Sequence, residues 1–216
     1  MVHVVTLLVT RNKSCHVRTL HTLLQMNINF IQAGIQHEIC FVNDDPFTKA
    51  ELILKKLKAS DRLIFIDYSV NVDRDSVAKF LEKYDQQCHC MIFPCVKEGI
   101  NWDQFKEKVK KGVDEPIEQM GLDFDTKVGQ KLSDGVYKVV QTDPKCWVME
   151  SKSVLKHLKT KKKEPLKQLP AKNTELFETL QSKGVKIWAY ADAQITTVYS
   201  HECLGNILNA AGVKVN

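Results

Sequence analysis

The chain has 216 residues, enough for one large α/β domain or two small ones. Apolar residues make up 44% and charged residues 26%, which excludes a disordered chain, and the formal charge of +5 suits a polyanionic ligand without requiring one. Seven cysteines, an odd number embedded in strand-like segments, argue against a disulfide scaffold and point to free thiols in a reducing compartment.

The opening Met1-Val2-His3-Val4 has no basic n-region and no small-residue cleavage site, and no apolar run has the length of a membrane span. A cytoplasmic location is therefore expected. Residues 2–9 (VHVVTLLV) read as a buried strand, β-branched and apolar throughout. Val17, Leu20, Leu23, Leu24 and Ile28 follow at helical spacing, with Ser14 as the expected cap. Residues 37–42 (HEICFV) read as a second strand, ending at Asn43-Asp44-Asp45-Pro46, a turn that starts a helix carrying Leu52, Ile53 and Leu57. A third strand, 62–66 (RLIFI), stops at Asp67. Residues 73–84 are expected as a helix, 88–94 as a fourth strand and 102–109 as a short helix.

The period is lost after about residue 112, and 112–134 reads as turn-rich. Short strands are expected at 136–140 and 146–150, then a helix from Ser151. Residues 156–167 (KHLKTKKKEPLK) form a basic, Pro-containing stretch, expected as a surface loop near the active site or a domain edge. A helix at 173–183, closed by Gly184, and strands at 185–188 and 194–199 complete the pattern. Repeated strand–helix units predict a mainly parallel central sheet flanked by helices, with a smaller mixed-strand half. We expect one domain over 1–216, a nucleotide-binding half (1–110) and an acceptor-binding half (111–216). Ligands of such sheets sit beyond the carboxyl ends of the strands, which directs attention to Thr10–Asn12, Asn43–Asp45, Asp67–Ser69, Cys95 and Lys97.

Neither G-x-G-x-x-G after the first strand nor G-x-x-x-x-G-K-[ST] is present, so a dinucleotide Rossmann site is not expected and there is no P-loop. Instead the third strand ends in a carboxylate, Asp67-Tyr68-Ser69. Asp67 can hold a hard cation such as Mn²⁺ or Mg²⁺ against a diphosphate, or it can simply end a strand while Asp73 caps the next helix. A second segment, Gly184-Val-Lys-Ile-Trp188-Ala-Tyr190-Ala-Asp192, precedes His201 by a short interval, and a neutral imidazole is a competent Mn²⁺ ligand.

In this order and spacing, with Ile92-Phe-Pro-Cys95 and Gly99-Ile-Asn-Trp102, the chain resembles GT-A glycosyltransferases, and among them a domain that builds capsid glycans in chlorella viruses. The resemblance spans most of the chain and implies a GT-A (nucleotide-diphospho-sugar transferase) fold. It implies a hexosyltransferase that moves a glucose- or rhamnose-like sugar from a UDP-sugar to a glycan acceptor, in viral capsid glycosylation. Inverting chemistry is expected by analogy, and the chain is one domain of a longer protein if the likeness holds. Carried over, it assigns Asp67, Ser69 and His201 to the metal, and Thr10, Arg11, Asn12, Asp44, Lys49, Asp67 and Ser69 to the nucleotide-sugar.

Two positions depart from the family pattern. Ser69 stands where a second Asp completes Asp-x-Asp, and the Glu-Asp pair that supplies the base in many inverting members is missing. Asp192, Glu175 and Asp143 are the candidates for that base. Trp147, Trp188 and Tyr190 are candidates to stack on acceptor sugars, or are core aromatics. Cys88 and Cys90 alternate with His89 across a strand, so they are expected to be structural thiols rather than zinc ligands. A nucleotidyltransferase would use the same strand-end carboxylate but usually has a Gly-rich basic loop after the first strand. A non-catalytic module docking a partner or nucleic acid through the basic stretch is the third reading. Without interleaved aromatics in that stretch, nucleic-acid binding is not expected.

Overall fold

The structure is a computed structural model and describes residues 2–82, 84–85, 87–116, 119–159 and 168–198. Its centre is an eight-stranded sheet. Strand β1 (His3–Thr10) is buried almost throughout and pairs in parallel with β2 (Gln36–Asn43) on one side and β3 (Arg62–Ile66) on the other. Helix α1 (Val17–Gln32) crosses from β1 to β2, and α2 (Pro46–Ala59) crosses from β2 back to β3.

Alternation along the strands feeds two cores. Val4, Leu8, Ile64 and Ile66 pack with Leu23, Met26 and Phe30 of α1 on one face. Val5, Leu7, Val9, Leu63 and Phe65 pack with Ile53, Leu54 and Leu57 of α2 on the other. Asp45 caps α2 by accepting the Thr48 N–H at 2.7 Å, ahead of Pro46 in the first helical turn, as the sequence predicts. The cap of α1 is His16, whose ring nitrogen accepts the Arg18 N–H, and not Ser14, whose hydroxyl donates to the Arg11 carbonyl.

The chain continues through β4 (Val70–Val72), α3 (Arg74–Ala78), β5 (Cys90–Ile92), α4 (Trp102–Lys111), β6 (Thr126–Ser133), β7 (Val136–Thr142), β8 (Cys146–Glu150), α5 (Ser151–His157), α6 (Asn173–Ser182), β9 (Ile187–Tyr190) and β10 (Ile195–Thr197). The order in the large sheet is β2-β1-β3-β8-β5-β9-β7-β6, and β10 pairs with β4 in a separate two-stranded sheet.

The sheet is mixed, which corrects the expectation of a mainly parallel one. Three of its pairings are parallel (β1 with β2, β1 with β3, β5 with β9). Four are antiparallel (β3 with β8, β5 with β8, β7 with β9, β6 with β7). Strand β8 causes the change: it inserts between β3 and β5 and runs against both.

Two local expectations also fail. The helix expected over 73–84 stops at Ala78, although Asp73 caps it as read. Beyond it the backbone tightens to three-residue steps (Phe80 N–H to Val77, Leu81 N–H to Ala78), and the Phe80 carbonyl accepts the Arg62 guanidinium at 2.6 Å. The segment expected to be turn-rich contains β6, a strand exposed along most of its length and held by its ladder with β7. No described helix is long and apolar enough to cross a membrane.

Candidate functional site

In the order β2-β1-β3 the chain first steps from β1 to one side and then returns to the other. The carboxyl ends of β1 and β3 therefore flank the point where the winding reverses, the position at which open α/β sheets bind ligands. Thr10 ends β1, Asn43 ends β2 and Asp67 follows β3. Antiparallel β8 adds its amino end to the same edge, because Cys146 pairs with Ile66.

After Thr10 the backbone turns tightly. Arg11 and Ser14 exchange two backbone hydrogen bonds of 2.9 and 3.0 Å, and the residues between them, Asn12 and Lys13, have φ of 51° and 60°. Two left-handed residues closed in this way make a type I′ turn. The turn aims Arg11 at two neighbours. Its guanidinium donates to Asp44 Oδ2 at 3.1 and 3.3 Å and lies 4.1 Å above the centre of the Tyr68 ring.

Lys49, in the first turns of α2, donates to the other Asp44 oxygen at 2.6 Å. Burial alone would raise the Asp44 carboxyl, but Lys49 and Arg11 outweigh it and hold the group below its ordinary range. The Tyr68 hydroxyl donates to Glu98 Oε1 at 2.9 Å, and burial together with that bond pushes its pKa up to about 12. Lys145 also reaches Glu98 Oε1, at 3.5 Å. The result is a chain of alternating charges along the edge: Lys49, Asp44, Arg11, then across Tyr68 to Glu98 and Lys145.

Asp67 sits among these groups and differs from them. Its carboxyl is raised above the ordinary value, by burial first, with Lys145 pulling the other way and the Asp44 charge adding to the rise. The fully buried Ser69 hydroxyl donates to Asp67 Oδ1 at 3.3 Å, and Asp67 takes part in no ion pair among the described residues. Its backbone is pinned, with its N–H on the Lys145 carbonyl at 2.9 Å and its own carbonyl accepting the Val70 N–H at 3.1 Å.

Behind this edge Asp125, 5% exposed, organises the loops. One of its oxygens accepts the Cys95 N–H (3.1 Å) and the Thr126 hydroxyl (2.8 Å), and the other accepts the Lys145 N–H (3.0 Å). A cavity of about 470 Å³ opens between Thr10–Lys13 and Asn43–Asp45, within the size range of small-molecule sites.

The structure thus brings together Thr10, Arg11, Asn12, Asp44, Lys49, Asp67 and Ser69. Thr10 donates to the Val42 carbonyl at 3.2 Å and knits β1 to β2. Asp143 lies exposed in the β7–β8 loop, two residues before Lys145. Asp192 lies exposed just after β9, on the same edge, and its carboxylate crowds Gly135 so closely that a Cβ there would meet Oδ2 at 2.4 Å. Glu175 is apart from these, in the first turn of α6. It pairs with Lys172 at 3.2 Å and lines a separate cavity of about 720 Å³ with Pro46 and Phe47. His201 lies outside the described residues, as do residues 160–167 of the basic stretch. Among the described residues no three His, Cys, Asp or Glu side chains converge as a metal cluster.

Trp147 is removed from the acceptor-stacking set. It is fully buried, stacked on Phe65 at 5.1 Å and edge-on to Phe177 at 6.0 Å. Trp188 and Tyr190 are half-buried against the α1-side core. Cys88 and Cys90 are buried thiols, both pushed up by burial, Cys88 to about 12.

Lys145, Glu98 and Asp125 are site residues that sequence reading missed. A parallel reading of the strands sends attention only to residues after each strand. Lys145 precedes β8, and only an antiparallel β8 delivers it to this edge.

No family model and no curated protein matches the chain. Among solved structures it is similar to an inositol-1-phosphate CTP transferase from T. maritima, with 9% identity and a TM-score of 0.49, over 100% of this chain and 98% of that one. It is also similar to a Drosophila galactosyltransferase in complex with manganese, UDP-Gal and xylobiose (13% identity, TM-score 0.48, 94% of this chain and 74% of that one). A glycosyltransferase involved in glycosylation of the major capsid of PBCV-1 aligns over 42% of this chain and 50% of its own, with 12% identity and a TM-score of 0.30. At this level of similarity the functional reading rests on the residues themselves.

Proposed function

We propose that this chain is a GT-A-type glycosyltransferase that moves a hexose from a UDP-sugar to a glycan acceptor with a divalent cation's help. The observation that carries the proposal is Asp67: a part-buried carboxylate, raised by burial and free of an ion pair among the described residues, at the winding reversal and within the influence of Lys145 and Lys49. A hard cation fits that oxygen donor, and when bound it supplies neutralising charge to the departing diphosphate. His201 completes the proposed metal set. It enters the set through the sequence resemblance alone and lies outside the described residues. Ser69 holds the Asp67 carboxylate through its hydroxyl.

The cavity between Thr10–Asn12 and Asp44 receives the uridine in this reading. Arg11, Lys49 and Lys145 supply positive charge where the leaving group accumulates negative charge. For the base we favour Asp192, with Asp143 as the second candidate. Asp192 is exposed, and from β3 to β9 is three strand spacings, about 14 Å, which leaves room for donor sugar and acceptor between it and Asp67. Glu175, over a different cavity, ranks third. Inverting stereochemistry and a capsid glycoprotein as the carrier of the acceptor enter the proposal through the sequence resemblance.

The closed turn Arg11–Ser14 weighs against a nucleotidyltransferase, because it leaves no open loop to wrap a triphosphate. Titration calorimetry with UDP, with and without Mn²⁺, tests the reading. Metal-dependent binding that Asp67→Ala abolishes is expected. Equal binding without metal, or pyrophosphate release from UTP in place of UDP release from a UDP-sugar, would overturn it.

A further inference from the structure

Helix α1 has a second apolar face that the other described residues leave uncovered. Val17, Leu20, Leu24, Ile28 and Ile31 are 76, 41, 54, 51 and 66% exposed. Steps of three, four, four and three residues keep them in one stripe along the helix, turned roughly 130° from Leu23, Met26 and Phe30, which face the core. Phe41, 61% exposed, extends the stripe onto edge strand β2. It shares a sheet face with Ile39 and His37, and the His37 ring bonds Asn27 of α1 at 3.0 Å.

We propose that a second copy of this chain covers the stripe, through antiparallel, two-fold pairing of α1 with α1. The spacing is the first reason. Val17 and Ile31 lie equally far from Leu24, and so do Leu20 and Ile28. A two-fold axis at Leu24 therefore sets Val17 against Ile31, Leu20 against Ile28 and Leu24 against itself, the self-complementary pattern of an isologous interface.

Charge is the second reason. Residues 17–32 contain no Asp, Glu or Lys, and Arg18 is the only permanent charge. Nothing in the helix repels its own copy, and no charged rim selects a partner of opposite sign. A helix lying in a membrane surface would carry a Lys- and Arg-rich polar face, where α1 carries Gln25, Asn27, Asn29 and Gln32. Area is the third reason. The six exposed side chains amount to roughly 600 Å² per copy, the upper end for a monomer's surface patch and close to one side of a standard interface.

Sedimentation equilibrium of the 216-residue protein from about 1 to 100 μM, where protein dimers of this size dissociate, tests the proposal. A dimer is expected. Leu24→Glu places two carboxylates at the two-fold axis and should weaken association at least about 100-fold, with the far-UV circular dichroism of a folded chain retained. A mixture of Val17→Cys and Ile31→Cys proteins should cross-link between positions 17 and 31, mapped by peptide mass spectrometry, while neither variant cross-links to itself at its new cysteine. A monomer at every concentration, a dimer indifferent to Leu24→Glu, a 17-to-17 cross-link, or a monomer that floats with lipid vesicles through Leu24 would each overturn it.

Discussion

A part-buried carboxylate that forms no ion pair among the described residues works against the fold that holds it. The Asp67 carboxyl is raised above its ordinary value, chiefly by burial, so the native state binds its proton more tightly than the unfolded chain does. The penalty is absent at low pH, grows as pH rises through the unfolded-state value and is complete above the folded one. In metal-free buffer at neutral pH, Asp67→Asn should therefore raise the melting temperature, by about 2–4 °C, and the gain should fade as pH is lowered toward about 4. The same variant should lose UDP-sugar turnover by about 100-fold or more, and Mn²⁺ should stabilise only the parent protein. A scanning-fluorimetry pH series with a UDP-release assay reads all three, and a variant that melts lower than the parent at neutral pH would contradict them. Asp125 works in the opposite sense. Asp125→Ala strands the buried Cys95 N–H and the part-buried Lys145 N–H and leaves the Thr126 hydroxyl with Thr142 alone, and should destabilise by about 2–4 kcal/mol in urea unfolding. Asp67 was legible because a run of five apolar-rich strand residues ends in it. Asp125 was not, since two of its three partners, the Cys95 and Lys145 N–H groups, come from distant segments.

Among the elements, those that bury a periodic face could be read directly, and those held by long-range partners could not. Strand β3 matches its expected bounds because all five residues are buried. Helix α2 follows its Asp45-Pro46 signal. Strand β6 carries Lys127, Gly129, Gln130 and Lys131 outward, so it has no apolar alternation, and its pairing with β7 alone makes it a strand. The helix after Asp73 ends early, and Arg62, distant in sequence, takes the Phe80 carbonyl beyond its end. The turn after β1 was not legible either: type I′ turns favour Asn-Gly, and this one is Asn12-Lys13. A left-handed lysine is strained, so Lys13→Gly should stabilise the protein by about 0.5–1 kcal/mol. If Lys13 serves the nucleotide, the same change should weaken UDP binding in calorimetry. A loss of stability would show that the side chain contributes more to the fold than its backbone strain removes.

Over the whole molecule, the sequence divides at about residue 110 but the sheet does not. Strand β8, from the second half, pairs over five residues with β3 and over three with β5, both from the first half. Strand β9 then takes the other side of β5. Without them β3 becomes an open edge and β5 has no neighbour at all. The α2-side core loses Trp147, Met149, Phe177, Leu180 and Ile187, all buried there. Arg62, 8% exposed, loses its ion pair with Glu150 and keeps the Phe80 carbonyl and the Tyr84 ring. Truncating several large core side chains costs about 3–5 kcal/mol each, and breaking a buried ion pair costs about as much again. Their sum exceeds the whole stability of an ordinary domain, about 5–15 kcal/mol. We therefore predict that a fragment of residues 1–110 shows no cooperative thermal transition and binds the dye ANS, whereas the full chain melts in one transition. A 1–110 fragment with a sharp melt and retained UDP binding would mean that the nucleotide half is a domain in its own right and that β8 is an addition to it.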